Sequence, residues 1–391
     1  MKGRGAMLVV SRRGTRQHGA MINQCPSAFL TRFLVATLSL GLAACSGSSS
    51  ADTEFFDVPG PYVAGVTTLN LADREVEIWY PADPGAEAGV DREEYFIRSW
   101  LPPVIDGLLD PDANPPFVEE AYRDIEVSGD APFPTTIFAH GYSAFRTQST
   151  FMTAHLASWG FVVVSVDYLE RGLAAALGFA PDMPMDDVVV TRMAVDALVE
   201  ASGTPGHLLE GLAVTDGLVI VGHSAGAGTA TRFASEADVL AYVPMTGGGS
   251  RSGNFPDRPS LWIAGAIDKS VGLQGLRDGY AAAPGPKRFL ILERGGHLAV
   301  SDLCAIGDED GGIIDIAERA GLPVPENIAR LGTDGCQEDA LPVREGWPIV
   351  NHAVTSFVRE SFGIDSVARG MGEDLLGHFP DVGLEFEQAG N

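Results

Sequence analysis

The chain has 391 residues, 45% of them apolar, enough to bury a sizeable core; disorder throughout is excluded, and one large domain with attachments is the simplest organisation. It carries 26 Lys plus Arg against 52 Asp plus Glu, and the stretch before Cys45 holds six of the basic residues and no acid, so the remainder has 20 basic and 52 acidic residues and a net charge of −32. A surface of that sign repels nucleic acid and excludes nucleic-acid binding as a function class.

In chain order, the first signal is for export. Arg32 precedes an apolar run from Phe33 to Leu42 that is too short for a membrane span and is followed by Ala43, Ala44 and Cys45. Leu42-Ala43-Ala44-Cys45 resembles the bacterial lipobox. That resemblance implies cleavage before Cys45, lipidation of its thiol, and a lipoprotein anchored in the cell envelope on the periplasmic or extracellular face. Residues 1–44 then form a signal peptide and 45–55 a Ser-rich flexible tether. Ordinary secretion with a coincidental cysteine is the alternative, and a start at Met21 would leave residues 1–20 out altogether.

Residues 56–364 read as one α/β domain. "GVTTLNL" and "EVEIWYP" alternate in polarity and form a hairpin about Ala72-Asp73-Arg74, giving antiparallel strands at the start. The Pro- and Asp-rich stretch from Asp83 to Asp130 reads as a decorated excursion, not a separate domain. Six near-continuous apolar runs follow: "TTIFAH", "FVVVSVDY", "LVIVGH", "VLAYVPMTG", "SLWIAGAID" and "RFLILER". Such runs are strands buried on both faces, as a mostly parallel sheet covered by helices requires. Helices are expected over Thr150 to Trp159, Val188 to Glu200, Ala225 to Ser235, and "WPIVNHAVTSFVRESFG" near the end. Residues 303–344 form a long cap-like insertion with a short helix from Gly312 to Ala320, and 365–391 an acidic, loosely held tail.

Between the strand "LVIV" and the helix after it stands Gly222-His223-Ser224-Ala225-Gly226, a G-x-S-x-G nucleophile elbow in its required context. A serine needs a base held by an acid, and in this fold they follow in the order Ser, acid, His. Asp268 at the end of "SLWIAGAID" and His297 in "RGGHLAV" fit. His155 and His352 fall in helices; the His223 side chain should point away from Ser224. Asp216 and Asp257 precede strands and so start at the wrong edge, while Asp167 comes too early in the chain and stays in reserve. An oxyanion hole is expected from the backbone N–H groups of Tyr142 and Ala225, with His140-Gly141 supporting the turn, each donor contributing about 3 kcal/mol.

"HGYSAFRTQST" and "GHSAG" resemble the oxyanion and elbow segments of α/β hydrolases, in the group holding platelet-activating-factor acetylhydrolases, predicted dienelactone hydrolases, chlorophyllases and cutinase-like polyester hydrolases. The resemblance spans about residues 56 to 363 and implies a serine ester hydrolase working through an acyl-enzyme without metal or organic cofactor. A dienelactone hydrolase would carry a Cys nucleophile where Ser224 stands. Short or medium acyl or aryl esters, or lipid-like esters, are the expected substrates. Phospholipase, lipase or polyesterase, and peptidase chemistry remain alternatives, as does a surface-anchored, non-catalytic binding protein. Tyr142, Phe145, Trp262 and Leu298 are the pocket candidates; Arg146 and Arg171 could approach the site. Cys304 and Cys336, the only cysteines outside the export segment, are expected to be bridged in an oxidising compartment, or else to be two buried thiols. They lack the clustered spacing of a metal site.

Overall fold

The computed structural model describes residues 8–11, 55–248, 253–322 and 324–390. Cys45, most of the export segment and the tether lie outside the described residues. In chain order the elements are β1 (Leu8–Ser11), β2 (Val63–Leu71), β3 (Arg74–Ala82), β4 (Arg92–Phe96), α1 (Pro103–Asp106), β5 (Pro116–Arg123), β6 (Phe133–Ala139), α2 (Thr150–Ser158), β7 (Val162–Val166), α3 (Leu173–Ala176) and α4 (Asp187–Gly203). There follow β8 (Ala213–His223), α5 (Ala225–Phe233), β9 (Val239–Met245), β10 (Ser260–Gly265), α6 (Leu273–Ala282), β11 (Lys287–Leu292), α7 (Gly312–Arg319), α8 (Glu326–Thr333), α9 (Val343–Ser361), α10 (Glu373–His378) and β12 (Leu384–Ala389).

Among the described residues these strands form one sheet in the order β1-β12-β11-β10-β9-β8-β6-β7-β3-β2-β5-β4. The stretch from β11 to β7 is parallel, and the β2–β3 hairpin extends it antiparallel through β3 and β7. Side chains alternate between two cores, which is why the strands read as unbroken apolar runs. Val219 and Val221 of β8 join the layer under α2 and α9, whereas Leu218 and Ile220 join that under α4 and α5. Farther along the same face as α4 and α5, α6 covers β10 and β11. All parallel strands end at one edge, where such sheets hold their sites.

Two expectations need correction, those for Asp216 and the tail, and two are extended. The excursion after Asp83 supplies two strands: β5 pairs parallel to β2 and β4 antiparallel to β5. Asp216 lies within β8, which begins at Ala213, and not ahead of it. The insertion contains α8 as well as α7. The tail, expected to be loose, closes the sheet, because β12 pairs antiparallel with β11 from Lys287↔Ala389 to Leu292↔Leu384. Its alternation explains this: Leu384 and Phe386 are buried in the α9 layer, while Glu385 and Glu387 turn the other way and pair with Arg277. β1 pairs with the outer side of β12 and lies in the segment read above as a signal peptide.

Asp302 ties the loop after β11 to the start of α2. Its buried carboxyl accepts from the Thr150 N–H and Oγ1 and from the Phe151 N–H at 2.6, 2.5 and 3.3 Å. Burial pushes its pKa up to about 7, against the opposing pull of those hydrogen bonds.

Two outcomes are expected. Removing residues 384–391 strips Leu384 and Phe386 from the core and should cost about 3–6 kcal/mol at roughly 1.5–3 kcal/mol per buried side chain; an unchanged denaturation midpoint would contradict the role given to β12. Folded Asp302 keeps its proton until about pH 7, whereas the unfolded chain releases it near 3.8, so its contribution to stability is full at low pH and declines as pH rises through that window. The Tm advantage of wild type over Asp302→Asn should therefore be larger at pH 4.5 than at pH 7.5, and a pH-independent difference would count against it.

Candidate active site

The site begins with backbone geometry. β8 ends at His223, α5 starts at Ala225, and Ser224 between them sits at φ 55°, ψ −117°. Only small neighbours permit so tight a turn: a Cβ on Gly222 would lie 2.1 Å from the Gly226 carbonyl oxygen, and one on Gly226 would lie 2.0 Å from that of Ala139. The Ser224 N–H is held by the Met245 carbonyl at 2.9 Å, and the residue stays partly exposed while His223 and Gly226 are buried. The elbow therefore lifts Ser224 Oγ over the N-terminus of α5, whose free N–H groups favour negative charge.

The three residues expected to act together meet at this point. Ser224 Oγ is 2.9 Å from His297 Nε2, and His297 Nδ1 is 2.9 Å from Asp268 Oδ2. Asp268 lies three residues beyond the end of β10, in a turn where its other oxygen accepts from the Ser270 and Val271 N–H groups, both at 2.8 Å. Burial works against its charge, but the hydrogen bond and attraction of His297, together with those two amides, outweigh it and hold its pKa below the usual value. An ionised Asp268 only accepts, so Nδ1 of His297 carries the proton and Nε2 is free to accept from the serine.

The turn at His140-Gly141-Tyr142 is fixed from several sides. His140 is fully buried; its Nδ1 lies 2.8 Å from the Gly141 carbonyl oxygen and its Nε2 accepts from the Tyr168 N–H at 3.0 Å. Burial and the nearby Arg171 keep its pKa well below the usual imidazole range, so it buttresses the turn as a neutral ring. Because a trans peptide is planar, drawing the Gly141 carbonyl toward His140 turns the Tyr142 N–H the opposite way. Arg146 and Arg171 do not reach the site. Arg146 pairs with Glu75, Glu77 and Asp167, while Arg171 donates to the His140 carbonyl and pairs with Asp187. Asp167, kept in reserve as the acid, instead anchors Arg146 and accepts from Trp100 Nε1 at 3.1 Å.

Beside Ser224 lies a narrow apolar cavity of about 80 Å³, walled by Phe145 and Leu298 and by Ile313, Ile328 and Leu331 of the insertion, with Tyr142 at its exposed side. Trp262 is not part of it. Within β10 that ring faces the α6 layer, fully buried against Phe255 and Phe289, and donates to Ser260 Oγ at 3.1 Å. Cys304 and Cys336 are joined by a disulfide. Two residues before Cys336, Asp334 accepts from the Lys269 N–H and Ser270 Oγ at 2.9 and 2.7 Å, and its carbonyl accepts from the Leu298 N–H at 2.9 Å. The insertion thus laces the loops of Asp268 and His297 together, a role without a local sequence signal. Two residues given no role from sequence also border the site: Gln148, in the segment after Gly141, and His223, whose side chain does leave Ser224 but turns under the His297 loop.

A family model described as platelet-activating factor acetylhydrolase, isoform II, matches residues 116–186, a minority of the chain. The matched stretch runs from β5 through the oxyanion turn to the start of α4 and does not include Ser224, Asp268 or His297. No curated protein matches the chain.

Proposed function

We propose that this chain, which has the α/β-hydrolase fold and is similar to the platelet-activating-factor acetylhydrolases, is a serine-dependent carboxylic ester hydrolase. The observation that carries the reading is the line of hydrogen bonds from Asp268 through His297 to Ser224, 2.9 Å at each step and ending on a strained elbow. His297 Nε2 takes the Oγ proton as Ser224 attacks the ester carbonyl carbon. The oxygen that becomes negative is met by the N–H groups of Tyr142 and Ala225. Collapse expels the alcohol, which receives its proton from His297, and leaves the acyl group on Ser224. Water, deprotonated by the same imidazole, then releases the acid. Asp268 orients His297 and stabilises its transient positive charge.

The narrow cavity supports a short acyl group, since it is far below the roughly 300–1,000 Å³ of an ordinary ligand site. The alcohol side then lies past the exposed Tyr142, where many leaving groups are tolerated. An acetylhydrolase reading differs only in that leaving group and is favoured by the match over residues 116–186, whereas a phospholipase would release a long acyl chain that the cavity is too narrow to hold. A lipase or polyesterase would need more open space beside Ser224, and a non-catalytic binding protein would have no use for the hydrogen-bonded line. The same proposal places the enzyme on the cell envelope, held through a lipid on Cys45.

The test is turnover of p-nitrophenyl esters of increasing acyl length by the purified domain. Acetate and butyrate should be cleaved in preference to octanoate, and Ser224→Ala should lose roughly 10³-fold or more in kcat while melting like wild type. Undiminished turnover by a folded Ser224→Ala protein would sink the assignment.

A further inference from the structure

Gln148 and His223 take no part in the bond making described above, yet both are buried between the two loops on which it depends. The Gly141 N–H donates to Gln148 Oε1 at 2.8 Å. Gln148 Nε2 lies 2.5 Å from His223 Nδ1, and His223 Nε2 lies 3.0 Å from the His297 carbonyl oxygen.

Both ends of this chain are backbone groups, and that removes any freedom in its direction. An amide N–H only donates, so Gln148 must turn its oxygen to Gly141 and its NH₂ to His223. A carbonyl only accepts, so the proton of His223 must sit on Nε2, leaving Nδ1 to accept from Gln148. One form of the ring satisfies both contacts: the neutral Nε2–H tautomer. Burial, followed by repulsion from the neighbouring His297, pushes the His223 pKa down to about 3, which keeps that form throughout the neutral range. The ionisable groups around it are His297, with ring centroids 5.0 Å apart, Asp268 and His140.

We propose that Gln148 and His223 are positioning residues, a relay that holds the oxyanion turn at Gly141–Tyr142 in register with the loop carrying His297. The proposal rests on the ester-hydrolase reading. Gly141 precedes the residue whose N–H meets the oxyanion, and the carbonyl gripped by His223 belongs to the general base itself. Slack in the relay separates two groups that must act on one reacting centre. Both side chains also border the apolar cavity, but the alignment they hold is used in the transition state, so a replacement of similar volume should lower kcat far more than it moves KM.

Three measurements test it. In ¹⁵N-edited spectra of the wild-type protein between pH 5 and 8, His223 should remain neutral with its proton on Nε2; a charged ring or the Nδ1–H tautomer overturns the relay. Gln148→Met breaks both contacts at similar volume and should lower kcat on p-nitrophenyl acetate by roughly 10- to 100-fold with KM within about twofold. An unchanged kcat overturns the relay. Gln148→Glu keeps an acceptor for Gly141 but, once ionised, offers no donor, so both contacts of His223 survive only while the new carboxyl and His223 together hold one proton beyond the Nε2–H. Its kcat should therefore fall relative to wild type as pH rises from 6 to 8; a profile parallel to wild type counts against the relay even if the Met variant fails to fold. A wild-type protein that cleaves no ester overturns the hydrolase reading and the relay's catalytic purpose with it, whereas an active wild type with an unimpaired Met variant overturns the relay alone.

Discussion

Ser224 is held at φ 55°, ψ −117°, a backbone region that L residues avoid at a cost of about 1–3 kcal/mol. The surroundings must over-determine it, and much of the molecule can be read as doing so. β8 is locked between β6 and β9, Gly222 and Gly226 let α5 settle against the end of β6, and Gly247 passes so close that a Cβ there would lie 2.4 Å from the Ser224 carbonyl oxygen. Relaxing any of these contacts would let the turn open.

Around that point the protein arranges dipoles in preference to net charge. His140 and His223 are buried and neutral, and Arg146 and Arg171, the cations beside the His140–Gly141 turn, are spent on Glu75, Glu77, Asp167 and Asp187. Asp268 is the ionised group bonded to the His297 ring, steadied by two backbone N–H groups. Such a site suits a reaction in which a neutral ester becomes an oxyanion for a moment, because fixed N–H groups cost no reorganisation when the charge appears. The strands that no elbow required, β4 and β5, serve the same end: Tyr95 and Phe117 pack with Phe145, Leu298 and Leu303 and so back the wall of the cavity beside Ser224.

What was legible in the sequence follows from how local each signal is. Ser224 stood out because a tight turn between a buried strand and a helix forces glycine at fixed offsets. Asp268 and His297 followed because a parallel sheet delivers the ends of successive strands to one edge. Trp262 was misplaced for the converse reason: in a strand buried on both faces every position is apolar, so the pattern does not say which layer a ring enters. The last strand was read as a loose tail because its apolar positions are only Leu384 and Phe386 among acids, and the acids are matched by Arg277 more than a hundred residues earlier in the chain. Gln148 and Asp334 act through contacts between distant loops, and a polar residue in a loop carries no periodicity from which to infer a partner.

The central claim, that Ser224 carries the acyl group between two half-reactions, is tested most directly by stopping the enzyme with acid within milliseconds of mixing with p-nitrophenyl butyrate and mapping the acylated peptide by mass spectrometry. The account predicts one butyryl group per chain, located on Ser224, and its disappearance when hydrolysis is allowed to finish. Continued ester turnover with Ser224 unmodified at every time sampled, or the acyl group found on another residue, would contradict it.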